Sequence, residues 1–240
     1  MSNNKIVSQN LTKKLKGSVI SAHRSTQLED PIFAINWFNL KRIWLYELYN
    51  RLVIGQLKSI GGSPIFKGRL QKIILDNDRL RRDMLLIVKY PKAQAFLDLI
   101  SSKIFQIKSL LRSSSVIHFQ FGFMQKINSG SLNVTNSKYK GKLKYLVHVC
   151  ENSEYENFQD LIDRAASMEV FPHFIGQKSA MLGLQKKDGK LRTLDFVLSH
   201  VLVFSGFDTD ALEGFTRSAF YQEFVQTNKN NFIGIYDRKI

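Results

Sequence analysis

Val88-Lys-Tyr-Pro-Lys-Ala-Gln-Ala-Phe-Leu-Asp-Leu-Ile-Ser-Ser-Lys-Ile-Phe-Gln-Ile-Lys-Ser-Leu-Leu-Arg112 contains the end of a strand, a turn and an amphipathic helix. Phe96, Ile100, Ile104, Ile107 and Leu111 recur at helical spacing, while Lys92, Gln94, Asp98, Ser102 and Lys108 fill much of the opposite side. This predicts one continuous helix whose apolar face covers another layer.

The flanking chain supplies that layer. Pro31 opens Ile32–Asn39, aromatic and β-branched, a strand with both faces covered. Lys41 to Ser59 is helical through Ile43, Leu45, Leu48, Leu52 and Ile54, and Gly61-Gly62 ends it. Pro64–Leu75 and Arg82–Tyr90 form a hairpin across Asp76-Asn-Asp78, and Val116–Met124 is a last strand after the quoted helix. The order is βαββαβ, the ferredoxin-like pattern of α+β folds. After an Asn-, Ser-, Gly- and Lys-rich linker over 127–143, the order starts again. Lys144–Cys150 is a strand, Tyr155–Met168 a helix, Pro172–Leu184 and Leu194–Phe204 a hairpin turning at Lys187-Asp-Gly189, Ala211–Thr227 a helix and Asn231–Asp237 a strand.

Residues recur as well as elements. Pro64-x-Phe66-x-Gly68 matches Pro172-x-Phe174-x-Gly176 at an offset of 108. Phe33, Ile35 and Trp37 fall on Tyr145, Val147 and Val149 at 112, and Leu97, Ile100, Phe105 and Leu110 on Leu212, Phe215, Phe220 and Val225 at 115. The domains are therefore read as a polar, partly mobile extension over 1–30, a first unit over 31–126, the linker, and a second unit over 144–240. The face of each sheet away from its helices must be covered, with Leu86, Val88, Phe119 and Phe121 expected there. A second copy on the same chain can cover it, giving a monomeric pseudo-dimer.

Tyr90-Pro91, Phe96-Leu97, Leu99-Ile-Ser-Ser102, Phe105-Gln106 and Arg112 resemble the second-helix signature of an uncharacterised branch of the dimeric α+β barrel, ferredoxin-like superfamily. The resemblance covers 31–126 well and 144–240 weakly, where Gly206-Phe207 replaces Tyr-Pro. It implies two four-stranded antiparallel sheets paired with a small cavity between or beside them, and hardly any chemistry. Haem-degrading relatives pair a first-strand Asn with a Trp and a second-helix His. Asn36, Trp37 and Trp44 fit in part, but neither Lys92–Arg112 nor Ala211–Thr227 contains a histidine, so no haem or other cofactor is expected.

A hydrophobic content of 44% over 240 residues supports a sizeable core. One cysteine, Cys150, excludes an internal disulfide and a cysteine-based zinc site, and it reads as a core residue. No secretory pattern opens the chain and no apolar run is long enough to span a bilayer, so a cytoplasmic protein without a transmembrane segment is expected. Phosphate-loop, His-Glu-x-x-His and Gly-x-Ser-x-Gly patterns are missing, as is any clustering at metal-ligand spacing.

The remaining signals are buried polar residues and charge. Asn36 and His148 occupy the same repeat position, and with His200 and His118 they are candidates to line a lumen and orient a small ligand with an apolar body and a carbonyl or carboxylate. Any one of them is otherwise a satisfied core residue. The net charge of +15 divides into +3 over 1–30, +11 over 31–126, +4 over 127–144 and −3 over 145–240. Arg69, Lys72, Arg79, Arg81 and Arg82 surround the first hairpin, with Lys138, Lys140, Lys142 and Lys144 in the linker, an arrangement suited to salt-sensitive contact with nucleic acid or an anionic surface. Solvating surface charge is the plainer explanation. The sequence thus points to a binding or accessory protein rather than an efficient enzyme.

Overall fold

The computed structural model describes residues 31–127, 143–153, 155, 157–178, 183–185, 191–193 and 196–239. The extension, most of the linker and the turn at Lys187-Asp-Gly189 lie outside them. Strands are β1 (Ile32–Leu40), β2 (Ser63–Leu75), β3 (Met84–Tyr90), β4 (Val116–Lys126), β5 (Lys144–Ser153), β6 (Phe171–Lys178), β7 (Gly183–Gln185), β8 (Leu191–Thr193), β9 (His200–Gly206) and β10 (Asn228–Arg238). Helices are α1 (Ile43–Ser59), α2 (Ala93–Ser101), α3 (Lys103–Ser115), α4 (Phe158–Ser167), α5 (Thr209–Arg217) and α6 (Ala219–Thr227).

Hydrogen-bonded neighbours run β1-β3-β2-β10-β5-β9-β6-β4 and close on β1, with β7 and β8 as a separate two-stranded sheet. Each βαββαβ motif therefore contributes its strands in the order fourth, first, third, second: β4-β1-β3-β2, then β10-β5-β9-β6. The class is α+β, with two ferredoxin-like motifs joined in one pseudo-dimeric barrel order. By compactness the described residues of 1–65, 86–123 and 179–196 form one unit, and those of 66–85, 124–178 and 197–240 a second.

Both seams between the motifs lie in the second unit and share one register. Across β2 and β10, Gly68, Arg69 and Leu70 face Arg238, Asp237 and Tyr236. Across β6 and β4, Gly176, Gln177 and Lys178 face Lys126, Gln125 and Met124. The first set maps onto the second at offsets of 108 and 112, and one hydrogen bond beyond each seam repeats too, Lys239 N–H to Lys67 O and Ile127 N–H to Ile175 O. The Pro-x-Phe-x-Gly repeat has its physical reason here. A Cβ on Gly68 would stand 2.5 Å from the Phe66 ring and 3.2 Å from Tyr236 Cβ, and one on Gly176 would stand 2.5 Å from the Phe174 ring and 3.1 Å from Met124 Cβ. Each phenyl ring lies over the glycine two residues on, and the neighbouring strand closes the remaining space.

The quoted helix is two helices. Ser102 takes an extended conformation between α2 and α3, and Ser218 does the same between α5 and α6. Gln106 Nε2 donates to Ile100 O across the first break and Gln222 Nε2 to Thr216 O across the second. These matches set the helix offset at 116 rather than 115. The helix expected over Tyr155–Met168 starts later, at Phe158, where Asn157 accepts from Asp160 N–H as its cap.

Two expected faces are reversed. In α1 the buried stripe is Leu45, Tyr46, Tyr49, Val53 and Leu57, whereas Ile43, Leu48, Leu52 and Ile54 are exposed. In the first unit Phe121 packs on Phe96 of α2 and Phe119 on Phe38, itself against Tyr46 of α1. Phe119 and Phe121 therefore face the helices, as Leu86 and Val88 do by sharing strand parity with Tyr90, which also meets Phe96. In the second unit Leu146, Leu202, Phe204, Ile233 and Ile235 form a core with α4, α5 and α6.

Gly68→Ala and Gly176→Ala are each expected to lower stability by roughly 1–3 kcal/mol in urea unfolding, because the added methyl has to displace a packed ring. Combining either with truncation of its own ring, Phe66→Leu or Phe174→Leu, should cost less than the sum of the two single changes.

Candidate functional site

The second unit buries two polar groups on its helix-facing side. His148 shares strand parity with Leu146, and its Nδ1 lies 2.9 Å from Tyr221 Oη on α6 and its Nε2 2.8 Å from Asn231 Oδ1 on β10. Since Asn231 Oδ1 can only accept, Nε2 carries the proton and Nδ1 accepts from the tyrosine hydroxyl. Asn231 Nδ2 donates onward to Val225 O and Asn228 O. Burial, first, holds the imidazole down at about 4, against the pull of Asn231. Burial likewise drives the Tyr221 hydroxyl well above its usual range.

One strand over, His200 faces the same way. Its ring stacks on Phe158 of α4 at 5.1 Å, its Nδ1 lies 3.0 Å from Ser199 Oγ, and burial lowers it to about 4. Ser199 Oγ lies 3.8 Å from Cys150 Sγ. That row of thiol, hydroxyl and imidazole resembles a relay in outline, but burial pushes the thiol up to about 11. A thiol kept protonated is a poor nucleophile, and Cys150 is the core residue expected of it.

In the first unit Asn36 shares parity with Phe38 and so faces α1, its Nδ2 reaching Leu86 O at 3.4 Å. At the repeat offsets, Asn36, Phe105 and Phe119 stand where the second motif has His148, Tyr221 and Asn231. The hydrogen-bonded network thus exists in one motif alone. His118 is exposed with φ of 51°. The lumen expectation is corrected for Asn36, His148 and His200, because strand parity and their partners direct all three toward helices. They do not fit a haem either: both ring nitrogens of His148 are engaged and the His200 ring lies under Phe158.

The basic hairpin has carboxylate partners within the fold. Lys72 pairs with Glu213, Arg79 with Glu151, and Arg81 with Asp76 and Asp78. The Lys72 hydrogen bond holds the Glu213 carboxyl below its ordinary range. Arg82 is 9% exposed, leaving Arg69 as the one member exposed and without an ion pair among the described residues. Acidic residues of the second motif meet Lys72 and Arg79, so part of the charge asymmetry is complementarity within one unit.

Sequence reasoning missed a group on the opposite sheet face of the second unit. The bulge between Pro172 and Phe174 turns out His173, whose ring lies 5.4 Å from Tyr145 and 5.7 Å from Phe66. Arg238 lies over Tyr145 with its guanidinium carbon 5.9 Å from the ring centroid, and its Nη1 donates to the hydroxyl at 3.4 Å. Lys144 and Asp237 form an ion pair beside them. His173 interrupts the strand alternation, but a bulge is not legible from one sequence. Among the described residues no group of His, Cys, Asp and Glu is arranged to hold a metal ion.

His148 and His200 give stability a pH dependence of known sign. Their folded pKa values lie below the ordinary 6.5, so stability is full above about pH 6.5 and drains as pH falls toward 4, where the folded imidazoles themselves protonate. For His148 the loss is on the order of 3 kcal/mol if the fold survives to pH 4. Urea unfolding at pH 7 and pH 5 should show it, with a smaller difference in His148→Gln. Tyr221→Phe should cost roughly 1–3 kcal/mol at pH 7 by leaving Nδ1 without its donor.

No family model and no curated protein matches the sequence. Among solved structures, a protein of unknown function from Rhodopseudomonas palustris is 18% identical with a TM-score of 0.41, covering 46% of this chain and 92% of its own. An anthrone oxidase-like protein is 9% identical with a TM-score of 0.48, covering 88% of this chain and 92% of its own. Chlorite dismutase from Candidatus Nitrospira defluvii, solved with imidazole, is 8% identical with a TM-score of 0.46, covering 91% and 95%. Independently of these similarities, the twice-repeated strand order of fourth, first, third, second, joined edge to edge, gives the chain the dimeric α+β barrel fold, with two ferredoxin-like motifs on one polypeptide.

Proposed function

We propose that the chain is a binding protein for a small molecule with an apolar body and one carboxylate or carbonyl group, and that the group is received at Tyr145, His173 and Arg238. The observation that carries this reading is a phenol and an imidazole that meet each other and the Phe66 ring, with a guanidinium over the phenol, at one end of a largely apolar sheet face. Apolar walls with a few convergent polar groups are the usual makings of a ligand site. Arg238 is exposed and His173 half-buried, so an anion can approach, whereas Val147, Val149, Val201, Val203 and Phe232 behind them are sealed.

Comparison of the two motifs supports the asymmetry of such a ligand. Phe33, Ile65 and Lys126 stand at the repeat positions of Tyr145, His173 and Arg238. One motif thus offers phenol, imidazole and guanidinium where the other offers a phenyl ring, an aliphatic chain and an amine. The buried His148 network and the protonated Cys150 belong to the packing of the second unit, which is why binding rather than catalysis is proposed.

Thermal unfolding with octanoate, octanol and octylamine tests the reading. Octanoate is expected to raise the midpoint, octylamine to leave it unchanged, and Arg238→Gln to weaken the octanoate effect about tenfold, in line with loss of a charge-assisted hydrogen bond. Equal shifts with octanoate and octylamine, or no shift with either carboxylate or alcohol, would overturn it.

A further inference from the structure

We infer that the outer face of α1 and α3 in the first unit docks on an anionic lipid bilayer surface. The two helices lie antiparallel: Arg112 near the end of α3 reaches Tyr49 early in α1, and Lys108 reaches Leu52 O and Gln56 Oε1 further along. On α1, Trp44, Leu48 and Leu52 follow one another at four-residue spacing and are 69%, 41% and 40% exposed. On α3, Ile104, Ile107 and Leu110 are 59%, 69% and 66% exposed, and α3 buries only Phe105 and Ser115.

At two of these positions the second motif shows what the fold holds when a side chain simply faces water. At the offset of 116 set by the Ser102 and Ser218 breaks, Ile107 and Leu110 correspond to Glu223 and Gln226 on α6, both exposed. The same fold position is polar in one copy and aliphatic in the other, so the fold does not require the aliphatic side chains.

Charge selects the partner. Lys41, Arg42, Arg51, Lys58 and Lys103 border this surface, are exposed, and make no ion pair among the described residues; Glu47 is the one acidic residue on α1, and α3 has none. Two such faces brought together as a homodimer would repel one another. Nucleic acid would use the positive charge but has no need of exposed tryptophan, isoleucine and leucine. A headgroup layer above an acyl boundary takes both, since aliphatic and indole side chains enter the interface while Lys and Arg meet anionic headgroups. The helices would lie along the surface, and no helix of the described residues is long and apolar enough to cross it.

Tryptophan makes the test direct. The chain has two, Trp37 fully buried and Trp44 exposed. With vesicles of about three parts phosphatidylcholine to one part phosphatidylserine, the full chain should cosediment, its emission should shift to the blue, and brominated lipid should quench it; phosphatidylcholine alone should bind far less. Ile107→Glu with Leu110→Gln, the second motif's own residues, should fold normally by circular dichroism and weaken binding at least tenfold, and Lys103→Gln about fivefold. Absence of cosedimentation, or binding without the spectral shift and quenching, overturns the inference. So does a dimer, or RNA or acidic-protein binding without vesicle binding, that the same double variant abolishes.

Discussion

Every four-stranded ferredoxin-like sheet ends in two edge strands, and an uncovered edge is a row of unmet backbone donors and acceptors. Much else in this protein follows from meeting those groups with its own second copy. β2 takes β10 and β6 takes β4, in one register at both seams. Such seams leave little room for side chains where the strands come together, and the protein meets that demand twice with a phenyl ring folded over a glycine. The repeated Pro-x-Phe-x-Gly is therefore a requirement of edge pairing rather than a signature of chemistry.

With both copies on one chain, the two need not remain alike. In the second motif, a histidine on the first strand is held between a helix tyrosine and an asparagine of the last strand, all buried and mutually satisfied. In the first, the corresponding asparagine has a phenylalanine in place of the tyrosine, and its own bond to Leu86 O is long. A buried network with every member satisfied rigidifies its surroundings. Changing one member would leave the others unpaired, which explains why all three positions differ together.

Charge diverged in the same manner. The basic hairpin of the first motif meets Glu213 and Glu151 from the second, so its lysines and arginines serve the packing of the unit in which they lie. These are exposed pairs whose individual worth is small, but they place acidic residues beside basic ones at the strands that must associate. Basic residues on α1 and α3 have no such counterpart among the described residues. They accompany exposed aliphatic side chains, two of which, Ile107 and Leu110, have polar equivalents in the second motif, Glu223 and Gln226.

The sequence by itself determined the order of the main strands and helices and the recurrence of that order along the chain. The strands are rich in branched and aromatic residues, turns carry Gly, Asp and Asn, and residue matches recur at nearly constant offsets, all of which are local properties of the chain. It did not determine which way the strands face. β1, β5 and β9 are buried on both sides, so that in β5 Tyr145, Val147 and Val149 on one face and Leu146, His148 and Cys150 on the other are all sealed from water. Alternation of polar and apolar residues then carries no information about which face meets the helices, and a one-residue error of parity exchanges lumen for core. Asn36, His148, His200, Phe119 and Phe121 were all displaced by that ambiguity. Helix faces failed for a related reason: α1 has apolar residues on two sides, and only packing reveals that Tyr46 and Tyr49 lie inward while Trp44 and Leu48 lie outward. His173 depended on a bulge, and the ion pairs of Lys72 and Arg79 on acidic residues many positions away. These are decided by tertiary structure because they involve partners brought together only when the chain has folded.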